Sequence, residues 1–223
     1  MLSQASLLPL SLKQSTKRLA STVWLLSLLF FSPLSFADKL SDLPTATYAL
    51  DKNHASIVWK VSHFGLSNYV ARFIDFDATL NLDTADFSKS TVKAVIKADS
   101  IRTEYTEPQK KDFDKTLSTG KGWFNSTKFP EITFESGAIT DFDGKNATVN
   151  GTLTLLGVSK PVIMQLTLNK ALEFHPFAGR PALGFSAALK LRRSDWGLSK
   201  FVPKVGDDVQ IDIEAEFIVI EED

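Results

Sequence analysis

Three histidines, His54, His63 and His175, and three arginines, Arg72, Arg192 and Arg193, are the first side chains to test for chemistry in this sequence. Imidazole serves as a base or metal ligand near neutral pH, and guanidinium forks onto phosphate or carboxylate oxygens. The histidines are scattered, and no Asp or Glu falls at helical or strand spacing to complete a set, so no metal centre is expected. His54 and His175 read as exposed loop residues. Cysteine is absent, which removes thiol nucleophiles and thiolate ligands. Lys121 lies between Gly120 and Gly122 without the eight-residue phosphate-loop pattern, and no Gly-x-Ser-x-Gly elbow occurs. Ser62 and His63 are adjacent along the chain, but on a strand they point to opposite faces. A Ser/His/Asp trio drawn from separate segments stays open. The arginines either neutralise a phosphate group or sit on an outer face, in water or paired with carboxylates. Asp195, in the turn Arg193-Ser194-Asp195-Trp196-Gly197, is expected to accept backbone hydrogen bonds, with Gly197 in a conformation other residues resist.

The elements that must position these groups are strands. From Ile57 to Val219 apolar and polar residues alternate, as in Val92, Ala94, Ile96 and Ala98 and again in Val209, Ile211, Ile213, Ala215, Phe217 and Val219. A period of two gives each strand one oily face and one wet face. Strand character covers 48–50 with 55–63, 71–82, 90–99, 130–139, 147–156, 162–172, 182–191 and 209–220. Asp143-Gly144 marks a tight turn, and 157–161 is expected to link two further strands. Pro108 reads as a helix start leading into 109–117, where Phe113 and Leu117 lie one turn apart. About eight strands, short connections and one helical insertion favour an antiparallel up-and-down barrel over a Greek-key sandwich. Such a barrel either fills with side chains or holds one small ligand.

The ends and the composition bound the setting. Residues 1–37 contain no Asp or Glu, carry Lys13, Lys17 and Arg18, and run apolar from Leu19 to Phe31 before Ser35-Phe36-Ala37. That is the pattern of a secretory signal peptide cleaved after Ala37, with an uncleaved amino-terminal anchor as the alternative. Removing its three cations from the 25 basic residues leaves 22 against 26 acidic ones, a formal charge of −4 for residues 38–223. No basic field exists to gather nucleic acid. An exported chain without disulfides must stabilise itself through its core, and a bacterial periplasm fits best.

Four ordered motifs carry a family resemblance. Gly122-Trp123-Phe124-Asn125-Ser126-Thr127-Lys128-Phe129-Pro130-Glu131-Ile132-Thr133-Phe134-Glu135-Ser136 resembles the F-x-x-x-x-(Y/F)-P-x-I-x-F-x-S signature of the YceI-like family of periplasmic, polyisoprenoid-binding, lipocalin-like proteins. Ser62-His63-Phe64-Gly65, Gly151–Val162 and Arg193–Leu198 resemble that family's His turn, its G-x-L-T hairpin and its R-x-D-(F/W)-G turn. Two departures accompany the match. Ala71-Arg72-Phe73 stands where the family often has Gly-x-Phe, and the helix lacks the family's usual His, which puts any head-group role of that helix in doubt. The resemblance implies an all-β, eight-stranded antiparallel lipocalin-like barrel over 38–223 with a short helical insertion. Its implied partner is a long-chain isoprenoid or similar amphiphile held in the cavity; transient membrane contact stays open. It implies no cofactor beyond such a lipid, and a homodimer stays open.

A long hydrocarbon needs an apolar tunnel. The expected wall is Trp59, Val61, Phe76, Leu80, Ile96, Ile132, Phe134, Leu153, Leu155, Met164, Leu166, Phe185, Leu189, Ile211 and Ile213, with Phe113 and Trp123 at the helical end. The alternative is that these residues simply pack against one another. His63 shares the parity of Trp59 and Val61, so it either meets a polar head at the mouth, with Arg72 as a second contact, or caps the Gly65 turn. A binding protein is the leading expectation. Its rivals are an enzyme acting on such a lipid and a stress-response or structural module with a filled core.

Overall fold

The computed structural model describes residues 40–220; the expected signal peptide lies outside the described residues. Eleven strands and one helix follow in chain order: β1 (Ala46–Leu50), β2 (Ser56–His63), β3 (Ser67–Phe73), β4 (Phe76–Leu82), β5 (Thr91–Lys97), β6 (Ile101–Arg102), α1 (Phe113–Thr119), β7 (Glu131–Thr140), β8 (Asn146–Leu155), β9 (Val158–Leu172), β10 (Ala182–Arg192) and β11 (Val205–Val219). Kinks at 51–55, 74–75 and 98–100 divide what are three continuous staves into β1/β2, β3/β4 and β5/β6. Every stave pairs antiparallel with its sequence neighbour, and β11 returns to pair with both β2 and β1. The result is a closed up-and-down barrel of eight staves, as the alternation predicts, and closure removes the exposed edges an open sheet would present.

Register follows the pattern of side chains. Phe185, Ala187 and Leu189 of β10 sit opposite Ala215, Ile213 and Ile211 of β11, all on the inner face. Bulges at Gly184/Phe185, between Ser136 and Ile139, and between Val205 and Val209 add local bend to the staves.

Several boundaries differ from the sequence reading: β3 begins at Ser67 rather than 71, β11 begins at Val205 rather than 209, and the helix start and the β8–β9 link also move. The helix begins at Phe113, since the Asp112 carboxylate accepts a hydrogen bond from the Lys115 N–H at 2.8 Å and caps it there. Pro108 instead occupies a turn closed by the Lys110 N–H and the Glu107 carbonyl. The β8–β9 link is also shorter than expected: Leu156 and Gly157, both at positive φ, make a two-residue turn, and Pro161 lies within β9 opposite Thr152. β9 pairs with β10 only from Gln165 onward. Pro161 therefore lies in a stretch with one free edge, where a missing N–H is tolerated.

The two ends of the barrel are built differently. At the end carrying the amino-terminal approach and residues 83–90, 141–145 and 173–181, Phe87 packs on Phe142 with ring centroids 4.4 Å apart. Tyr48 is fully buried there and donates its hydroxyl to the Pro44 carbonyl at 2.9 Å; burial pushes its pKa up to about 12. This end is a plug. The opposite end carries α1 and residues 193–204. There Leu117 points inward, Phe124 packs edge-on against Phe73 at 5.4 Å, and the buried Trp196 donates its indole N–H to the Leu153 carbonyl. No helix among the described residues is long and apolar enough to cross a membrane.

Candidate functional site

Alternation puts one face of every stave toward the axis, and those faces do not meet. They enclose a cavity of about 270 Å³. Trp59, Phe76, Ala94, Ile211 and Ile213 point inward yet are only half-buried, because what they face is empty space. A filled barrel would have covered them. Gly151 helps shape the wall: a Cβ there would lie 2.4 Å from the Phe134 ring, so its absence makes room for that ring beside β8.

The wall contains every apolar residue expected on it except Phe113. That ring lies outside, 6.2 Å from Tyr69 and 5.6 Å from Tyr105, and Leu117, one turn later, takes the inward place. The cap at Asp112 sets this phase of the helix. Leu50, Phe73, Phe87, Phe124 and Phe217 join the wall, as do the small residues Ala78, Ala94, Ala187 and Ala215.

Arg193 is the one charged residue of the wall, and it is buried rather than on the outer face. The signal was present in sequence, since 183, 185, 187, 189 and 191 share its parity. Its Nε donates to the Gly206 carbonyl at 2.7 Å, its Nη2 to the Lys200 and Val205 carbonyls at 3.0 Å each, and its Nη1 to the Leu198 carbonyl. The guanidinium thus ties the 193–206 segment across the helical end. Burial lowers its pKa, opposed by the charge of Asp207. The other polar atom of note is Trp59 Nε1, buried without a hydrogen-bond partner among the described residues.

Arg72 does not approach the cavity: it lies on the outer face and pairs with Glu104. His63 is exposed at the helical end, its ring edge-on to Phe64 at 4.6 Å and 6.5 Å from Tyr69. Asp195 is exposed, and the backbone-accepting role expected of it falls to Asp207, which takes the Ser194 N–H at 2.9 Å and hydroxyl at 2.7 Å. Gly197 has φ of 90°, the left-handed conformation expected of it. Burial alone would raise the Asp207 carboxyl, but the Ser194 bonds and Arg192 hold it below its ordinary value. A depressed carboxyl contributes stability that is present above its unfolded pKa, about 4, and lost as pH falls through the folded value. Asp207→Asn should accordingly lower Tm at neutral pH, with the gap to wild type narrowing in melts taken at progressively more acid pH below the unfolded value.

The histidines are less scattered in space than in sequence. Asp51, His54 and Glu216 bring their donor atoms within 4.8 Å of one another on the outer surface. His54 Nδ1 bonds the Asp51 carboxylate at 2.8 Å, which raises the imidazole pKa, and Asp51 also caps the turn through the Asn53 N–H. His175 is largely buried rather than exposed; its Nδ1 accepts the Phe177 and Ala178 N–H groups, and its Nε2 lies 3.9 Å from Glu216. This cluster is on the outer surface, and none of its members lines the cavity.

Comparison with known proteins agrees with this architecture. The YceI-like domain model matches residues 48–217. Protein YceI of Salmonella arizonae is 30% identical over 192 residues, covering 85% of this chain and 96% of that protein. The crystal structure of the Campylobacter jejuni YceI protein superposes with a TM-score of 0.61 at 27% identity, covering 72% of this chain and 90% of that one. A polyisoprenoid-binding domain from Saccharophagus degradans has the same fold, with a TM-score of 0.55 at 15% identity over 78% of this chain and 98% of that domain.

Proposed function

Given that the chain belongs to the YceI-like family, we propose that it binds a polyisoprenoid or similar long amphiphile in the barrel cavity and carries or stores it in the periplasm. The observation that carries this reading is the half-buried, inward-facing wall around an empty, almost wholly apolar space. Desolvating a hydrocarbon there is favourable by roughly 25 cal/mol per Å² of apolar surface removed from water. The volume of 270 Å³ sits just under the ~300–1,000 Å³ usual for ligand sites, which favours a slender extended chain over a fused-ring ligand. The related domain from Saccharophagus degradans is described as polyisoprenoid-binding, and the same ligand class suits this wall.

The head group belongs at the helical end in this reading. Phe87, Phe142 and Tyr48 pack the other end, and the buried charge of Arg193 lies on the helical side, where it favours an electron-rich quinone, phosphate or carboxylate head. Binding rather than catalysis suits the wall chemistry, because the cavity surface is almost wholly apolar and the guanidinium of Arg193, neither a base nor a nucleophile, is already engaged by four carbonyls. Periplasmic residence rests on the signal-peptide pattern of residues 1–37.

A native mass spectrum of the protein purified from the periplasm tests the proposal. The expected result is a lipid-sized adduct that organic extraction removes. A bare protein mass, with no uptake of added isoprenoid, would sink it.

A further inference from the structure

We infer that the rim at the helical end of the barrel is a docking surface for an anionic lipid bilayer. Phe64 and Phe201 stand on this rim with Leu66, and their exposures of 55%, 57% and 87% leave all three largely in water. Their backbones make the exposure harder to explain by folding. Phe64 has φ of 54° and Phe201 of 65°, the left-handed region that a bulky L-residue resists. Phe64 with Gly65 forms the tight β2–β3 turn, closed by the Leu66 N–H on the His63 carbonyl, where Asn would sit with least strain. Two aromatics are therefore held outward in an unfavourable conformation with only partial burial to offset it.

The rim is one continuous patch. The Phe64 N–H donates to the Lys204 carbonyl at 2.8 Å, and Phe201 lies 6.0 Å from Trp123, a wall residue of the cavity. The Lys200 ammonium sits over both of those rings, at 5.2 Å from Trp123 and 5.3 Å from Phe201. Charge is polarised along the barrel in the matching sense. The segments of the helical end, 64–66, 103–130, 156–157 and 193–204, hold seven exposed lysines against five Asp and Glu, Arg193 being buried. Those of the plugged end, 40–45, 83–90, 141–145 and 173–181, hold three Lys and Arg against six Asp and Glu. Phe174 and Phe177 are also exposed at the plugged end, but there the surrounding excess is acidic and a negative surface repels it. Exposed apolar side chains beside an excess of lysines match the composition of an interfacial membrane anchor, and lysines gain near anionic head groups. The helical end would lie on the bilayer with Trp123 and the cavity directly behind the contact. Why a membrane should be visited rests on the carrier reading; the docking itself does not.

Vesicle co-sedimentation tests the inference, using phosphatidylcholine with and without phosphatidylglycerol, alongside separate loading of a fluorescent isoprenoid from cyclodextrin. Wild-type protein should be retained on phosphatidylglycerol vesicles and released by salt. The triple variant Phe64→Asn/Leu66→Asn/Phe201→Asn should lose about tenfold or more of that binding while keeping or raising Tm and still loading isoprenoid. Lys200→Glu/Lys204→Glu should abolish the preference for phosphatidylglycerol. Wild-type protein that ignores both vesicles overturns the inference and turns the rim over to a protein partner. A triple variant that binds like wild type overturns it equally. Vesicle binding without isoprenoid loading sinks the carrier reading and leaves the rim standing.

Discussion

Ala94→Trp should empty the barrel of lipid while leaving the protein folded. Ala94 lies on β5 between Ala78 of β4 and Phe134 of β7, with its methyl on the cavity wall. An indole at that position projects into space that no side chain occupies, so the overpacking that penalises small-to-large changes in a filled core is avoided. Stability should stay within about 1 kcal/mol of wild type, since apolar burial and lost rotamer freedom oppose each other. Lipid loading, read as the adduct fraction in native mass spectra, should fall more than about tenfold, because 1.4 kcal/mol of lost contact is already a factor of ten. Lys93→Ala, one residue earlier on the outer face, is the control and should load normally. Wild-type loading by Ala94→Trp would mean that lipid binds elsewhere.

The second large effect is expected at Arg193. Arg193→Met keeps most of the side chain's volume and removes every donor, so the carbonyls of Leu198, Lys200, Val205 and Gly206 lose their common partner. A buried acceptor left without a donor costs about 1–3 kcal/mol, and relaxation of 193–206 toward water recovers part of the total. The expected loss is about 3 kcal/mol, or roughly 6–12 °C in Tm for a chain of this size. Arg193→Lys should not rescue it, since an ammonium cannot present a planar fork to four carbonyls. Hydrogen exchange should rise first in 193–206. Unchanged melting and exchange would show that the guanidinium is dispensable to this end of the barrel.

Much of this was legible in the chain because alternation is a local property with a global consequence. Residues 209, 211, 213, 215 and 217 announce their shared face whatever their partners are, and β11 presents all of them to the cavity. The same parity on β10 reaches 193. A guanidinium looks out of place inside a barrel, and only the four carbonyls of the segment that follows it make its position tolerable. The helix phase was less legible for a related reason. Phe113 and Leu117 are both apolar and one turn apart, and the choice of which faces inward depends on where Asp112 stops the preceding turn. The kink at 51–55 is marked by Asp51 and Asn53, whereas the one at 74–75 carries no strong punctuation, so there one long strand and two short ones read alike. The meeting of Asp51, His54 and Glu216 depends on β1 pairing with β11, a contact no spacing rule anticipates.

That pairing has a consequence in time as well as in space. β11 is the last strand of the barrel, and it pairs with both halves of the first stave, β1 and β2, across almost the whole described chain. Contacts of such long sequence separation are slow to form, because the loop between them must be closed before they repay it. A chain made amino terminus first could build hairpins as it emerged, but it could not shut the barrel until β11 had followed. The seam joining beginning to end would make enclosure the last event of biogenesis, leaving the interior open to a lipid met along the way.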